Sequence, residues 1–197
     1  MLTTIDHMNA NVALASALIL YPLIFRLVTP RDVSSGRFAL SRETISAVHA
    51  ALVSLAAALE LYRQRDKWAS PAYRSASGVK DELVAPQDGK ETLDIINAQS
   101  PFGNAIIAWE CGYLIQDSFV LLLGARRAPH DDRRSRSVMA KSFNLRVLGW
   151  HHFGVGSALG FSHFRALQGK AKGVLIVMIF FLMNLSYVPF LCLSHLQ

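Results

Sequence analysis

Residues 103–124 read GNAIIAWECGYLIQDSFVLLLG, and this stretch decides what kind of protein the chain is. A helix needs about 20 mostly apolar residues to cross the hydrocarbon core of a bilayer. The stretch reaches that length, and its charges are Glu110 and Asp117 alone. Glu110, Tyr113 and Asp117 stand at i, i+3 and i+7, which puts them on one face of a helix, with Leu114 and Leu121 extending the same side. A charged side chain at the centre of a bilayer costs about 2.5–3.5 kcal/mol even on a lenient scale. That face must therefore look into a bundle, towards protein or a water-filled cavity.

Working outward, four more segments carry no Lys, Arg, Asp or Glu: Met8–Phe25, Thr44–Leu59, Val147–Phe164 and Gly173–Gln197. Of 197 residues, 52% are hydrophobic and 17% charged, against about 25% charged in a typical soluble domain. Mean hydropathy is +0.29. So little polar chain cannot cover five helices of this apolarity in water. The sequence predicts an all-α, polytopic transmembrane helix bundle of about five spans, near residues 9–28, 44–62, 103–124, 147–161 and 173–194, in a single domain over 1–197. The first apolar run has neither a basic n-region before it nor an A-x-A-like site after it, so it reads as a retained span and not a signal peptide. Cys111 and Cys192 both fall inside spans and read as packing residues. The sequon at Asn184-Leu185-Ser186 is also inside a span, out of reach of glycosylation.

The net charge of +6 does not point to nucleic acid, because the basic residues sit in short connections between apolar helices. Arg63–Ser100 balances its charges and reads mostly as loop, with a surface helix around Glu91–Ala98. Ala125–Arg146 holds Arg126, Arg127, Arg133, Arg134, Arg136, Lys141 and Arg146 against Asp131 and Asp132. This density places that connection, and the Pro30–Glu43 loop with it, in the cytosol. Gly156-x-x-x-Gly160 and the series Ala50, Ser54, Ala58 put small residues at four-residue spacing, a pattern that lets membrane helices approach closely.

With those spans, His49, Asp117 and the pair His151–His152 lie ~6–11 Å in from the same ends of three helices, a spread of about one turn. Such a layer suits a functional cavity. A His beside a carboxylate is held in one tautomer and becomes a better base for taking a proton from an amine or hydroxyl. Adjacent helical residues point about 100° apart, so His151 and His152 cannot both face one partner. No H-E-x-x-H, G-x-S-x-G, G-x-G-x-x-G or P-loop occurs. No metal and no cofactor is expected.

The chain resembles the TRAM–LAG1–CLN8 (TLC) domain family over about residues 41–193. The resemblance rests on Ser46-x-x-His49, Gly112-Tyr113-x-x-x-Asp117, the His151-His152 pair opening a span, and Asn184-x-Ser186-x-x-Pro189-Phe190-Leu191. It implies a multi-pass protein of the endoplasmic reticulum or a related endomembrane. The ceramide synthases of that family join a fatty acyl-CoA to a sphingoid base, with paired histidines implicated in catalysis. The acidic residues that mark them after the histidine pair have no counterpart in Gly173–Ser194 here, so the chain is more similar to the non-synthase members. Family members usually continue through at least one more span, which makes this a short variant or an incomplete chain. The resemblance implies lipid binding or sensing that influences membrane lipid composition, with membrane lipids as partners. The alternatives are an acyltransferase using acyl-CoA, and a trafficking or structural membrane protein. Catalysis would fall to His151, His152 and Asp117, and lipid binding to His49, Glu110, Tyr113 and Asn184.

Overall fold

A computed structural model of the chain describes residues 2–29, 35–65, 100–127, 145–170 and 172–183. Asn184, Cys192 and the surface helix expected at Glu91–Ala98 lie outside these residues. Five helices carry the fold: α1 (Leu2–Val28), α2 (Ser35–Arg63), α3 (Pro101–Arg127), α4 (Leu145–Leu167) and α5 (Val174–Leu182). No strand occurs among the described residues. Three segments, Asn9–Val28, Arg37–Arg63 and Pro101–Gly124, are long and apolar enough to cross a membrane. The protein is an integral membrane helix bundle. The other two expected spans fall short among the described residues. Arg146, Arg165, three histidines and several glycines dilute the apolarity of α4, and only nine residues of α5 are described.

The second span also begins earlier than its apolar run. Charge made Pro30–Glu43 read as a loop, but α2 is helical from Ser35 onward. Arg37, Arg42 and Glu43 therefore ride on the helix. The reason is tertiary: Arg42 is buried against α3 and needs no water.

The central helix is α3, with 67% of its apolar window buried inside the protein against 39% for α2 and 11% for α1. Alpha-1 runs along α3, α4 packs on another side of α3, and α2 packs against both α3 and α5. The side of α2 away from the bundle carries Val48, Leu52, Leu55, Leu59 and Tyr62 at alternating four- and three-residue steps, all exposed. In water such a stripe would drive aggregation; in a bilayer it matches the solvent. Alpha-1 presents Val12, Ile19, Leu23 and Leu27 in the same manner.

Close helix approaches lie at Gly112, against α1, and at Gly103, where a Cβ would stand 2.6 Å from Val174 Cγ1 of α5, not in the two series of small residues quoted above. A Cβ on Gly112 would stand 2.6 Å from Ala17 Cβ and 3.0 Å from the carbonyl oxygen of Leu14. Around Gly156 and Gly160, in contrast, nothing lies within 4 Å of a built Cβ. Their side of α4 has no neighbour among the described residues, so spacing alone could not make them packing residues. Of Ala50, Ser54 and Ala58 only Ser54 is buried; its hydroxyl donates to the Phe181 carbonyl at 2.9 Å, tying α2 to α5. Alpha-4 ends on Gly169, whose φ of 67° lets Lys170 N–H reach Arg165 O and Gly169 N–H reach Ala166 O, both at 2.9 Å. This pair of bonds closes the last turn and satisfies its carbonyls.

Gly112→Val adds three carbons where even one does not fit, so α1 must move off α3. We expect a loss of about 1–3 kcal/mol or more of stability, read as a lower SDS midpoint in equilibrium unfolding from mixed micelles. Gly156→Val should leave that midpoint within error.

Candidate functional site

The polar side chains of α2 and α3 meet in an antiparallel ladder. Each step of three or four residues up α2 matches an equal step down α3: Arg42 pairs with Asp117, Ser46 with Tyr113, and His49 with Glu110. Arg42 Nε donates to Asp117 Oδ1 at 2.8 Å and Nη2 to Oδ2 at 2.5 Å, a bidentate pair in which both residues are buried. The Ser46 and Tyr113 hydroxyls lie 2.5 Å apart. His49 Nε2 lies 2.5 Å from Glu110 Oε2. The His49 and Tyr113 rings are stacked, with centroids 3.7 Å apart and planes 16° from parallel. Near the other end of the two helices, the Ser100 hydroxyl donates to Glu60 Oε1 at 2.6 Å.

Alpha-1 joins this ladder through Tyr21. Its hydroxyl lies 2.5 Å from His49 Nδ1 and receives the Trp109 indole N–H at 2.8 Å. An indole can only donate. With Trp109 filling one lone pair, Tyr21 directs its own hydrogen onto Nδ1, which leaves the imidazole proton on Nε2 facing Glu110. That tautomer satisfies Trp109, Tyr21 and both ring nitrogens at once. The dyad thus has the elements of a general base, an oriented His with a carboxylate behind it, but protein side chains occupy both nitrogens.

Alpha-4 contributes His152, whose Nε2 is 3.2 Å from Asp117 Oδ2 and whose Nδ1 is 3.1 Å from Ser118 Oγ. Ser118 gives its hydrogen to the Leu114 carbonyl at 2.7 Å, so the same hydroxyl bridges α3's own backbone and His152. His151 points away and is exposed, its ring centroid 5.8 Å from that of His152.

Sequence placed His49, Asp117 and the histidine pair in one layer. The structure divides them into two. Arg42, Asp117, Ser118 and His152 form one level. His49, Glu110, Tyr21 and Trp109 form the other, seven residues away along α2 and α3, or about 10 Å at 1.5 Å per residue. Depth counted from span ends failed because the start of α2 was set by charge. Glu110 and Tyr113, on the face inferred from spacing, are buried with Asp117. Asn184 is outside the described residues. Arg42, Tyr21 and Trp109 escaped the sequence reading. Nothing local flags Tyr21 or Trp109, but an Arg seven residues before His49, matched by a carboxylate seven residues after Glu110, is a readable signal for antiparallel pairing.

Comparison with protein-family models, with curated proteins and with solved structures finds no match. The resemblance to TLC domains therefore rests on the residues quoted above.

Two open spaces adjoin the ladder. An apolar groove of about 290 Å³ lies between α1, α2 and α3, bounded by Ala13, Leu52, Val53, Ala56, Ile106 and Trp109, with Phe102 and Ala105 closing one end. Beyond these two residues a second cavity of about 320 Å³, more polar than the groove, opens around Glu60.

Removing one partner of a buried ion pair strands the other charge and costs about 3–5 kcal/mol. Arg42→Met and Asp117→Leu should each destabilise the bundle by about that much in SDS titration, and the double variant by much less than the sum. Single variants within about 1 kcal/mol of wild type, the range of a solvent-exposed pair, would show that this pair is solvated.

Proposed function

We propose that the protein is a lipid-binding membrane protein of the TLC type, residing in an endomembrane, which holds one acyl chain in the groove between α1, α2 and α3 and thereby influences membrane lipid composition. The observation that carries this reading is the groove itself. Its walls are apolar and aromatic side chains, it opens past the exposed Leu52 to the lipid-facing side of α2, and its volume of about 290 Å³ suits a chain more than a whole lipid, since sites for drug-sized ligands run from about 300 to 1,000 Å³. Trp109 connects it to the ladder: one face of the indole lines the groove while its N–H holds Tyr21 against His49. A chain that shifts Trp109 would disturb the bonds that orient His49 and Glu110, which gives the bundle a means of registering occupancy.

Binding is favoured over acyl transfer by how the ionisable groups are spent. Asp117 is engaged bidentately by Arg42, His151 is exposed away from the bundle, and both nitrogens of His49 are bonded to side chains. None of these is poised towards the groove.

The test is photolabelling in proteoliposomes with a phosphatidylcholine carrying a diazirine in one acyl chain. Leu52, Ala56 and Ala105 should be labelled above the lipid-facing Leu23 and Leu27 of α1. Ala56→Trp, which fills the groove, should reduce labelling of Ala105 about fivefold, the effect of losing roughly 1 kcal/mol of packing, while sparing α1. Equal labelling of groove and α1 in both variants would overturn the proposal.

A further inference from the structure

A lipid drawn from the bilayer into a protein groove gains no hydrophobic free energy, because its chain leaves surroundings as apolar as those it enters. Selective occupancy must come from close packing and from the headgroup. The polar cavity at the end of the groove is therefore the place to look for a headgroup site.

That cavity lies at one membrane face. Asn9 opens the span of α1, Arg63 closes that of α2 and Pro101 opens that of α3. Its walls include Asn9, Glu60, Arg63, Gln64 and Phe102. Glu60 is 1% exposed. Its Oε1 accepts hydrogen bonds from Ser100 Oγ at 2.6 Å and from Gln64 Nε2 at 2.8 Å. Its Oε2 is buried and receives none among the described residues; the nearest cation is Arg63 Nη1 at 3.8 Å, on a side chain that is 61% exposed. A buried carboxylate oxygen without a donor is costly. Glu60 lines the cavity, so a ligand there can supply that donor once the carboxylate turns towards it. Arg63 stands beside it, its guanidinium over the Phe102 ring at 5.9 Å, so the cavity mouth offers a cation about one helical turn from the carboxylate.

From this level the groove descends along Phe102, Ala105, Ile106 and Trp109, an i, i+3, i+4, i+7 face of α3 about 10 Å long. Phe102 and Ala105 line both spaces. The two together have the outline of an amphipath with its head at Glu60 and a chain running towards Trp109.

We infer that this end of the bundle is a headgroup site for a phospholipid bearing a primary ammonium, which donates to Glu60 Oε2 while the phosphodiester faces Arg63 and one acyl chain lies in the groove. The inference rests on the acyl-groove reading above and adds the identity of the head. A quaternary ammonium is disfavoured because it has no N–H for the orphan oxygen. A bare metal ion is disfavoured because no group of three His, Cys, Asp or Glu side chains gathers among the described residues.

The sequence has three tryptophans. The test uses the full chain with Trp68→Phe and Trp150→Phe, leaving Trp109 at the groove. Protein is reconstituted in nanodiscs of unlabelled phosphatidylcholine with a small fraction of lipid brominated on its acyl chains, either phosphatidylethanolamine or phosphatidylcholine. Brominated phosphatidylethanolamine should quench Trp109 with about tenfold higher apparent affinity, the worth of one charge-assisted hydrogen bond. Glu60→Gln, which keeps an oxygen for Ser100, should abolish that preference. Arg63→Gln, at an exposed position, should weaken both lipids alike. Equal quenching by the two lipids, unaltered by Glu60→Gln, would overturn the headgroup site and leave the acyl groove standing. Quenching of Trp109 by neither lipid would overturn both.

Discussion

In a bilayer there is no water to satisfy a polar group, so every ionisable side chain that α3 carries into the membrane must find its partner within the protein. The organisation of this bundle follows from that constraint. Alpha-3 brings Glu110, Tyr113 and Asp117 on one face, and α2 answers with His49, Ser46 and Arg42 in antiparallel order. The bidentate Arg42–Asp117 pair fixes both the register and the rotation of the two helices. A slip by one residue would turn the donors about 100° out of line and leave charges unpaired in hydrocarbon. Apolar packing between helices is permissive in lipid; this ladder is not.

The other helices attach to what the ladder establishes. Alpha-1 comes close enough for Tyr21 to reach His49 because Gly112 removes the side chain that would keep Ala17 away. Trp109 then closes the arrangement from α3, so that three helices share one imidazole. Alpha-4 docks through His152 onto the carboxylate that Arg42 already holds. The lipid-facing surfaces need no comparable precision, and α1 and α2 display simple apolar stripes there.

This division also explains where open space survives. Small residues at Ala13, Ala56 and Ala105 leave a groove where three helices converge, and the large rings of Phe102 and Trp109 bound its ends. The groove begins at Phe102 and Ala105, next to the cavity of Glu60, whose second oxygen has no donor among the described residues, and ends against the indole that orients Tyr21. Trp109 thus belongs both to the groove lining and to the hydrogen-bonded polar core.

By itself the sequence determined that the chain is an all-helical membrane bundle, because long apolar runs have no other stable home. It also determined that Glu110, Tyr113 and Asp117 share an inward face, because helical periodicity and the cost of a charge in lipid leave no alternative. What it could not determine was the partner of each group. Arg42 looked like loop because charge marks the water-facing ends of spans, and only a carboxylate from a helix 75 residues away in sequence makes its burial tolerable. Gly156 and Gly160 looked like a packing seam, yet it is Gly112, four residues after the buried Ala108, where α1 and α3 touch; close approach depends on which surface lies opposite, which no single helix encodes. The split of one expected polar layer into two has the same cause. Periodicity assigns a face, but depth and partnership are properties of helices held in register, and that register exists only in the folded bundle.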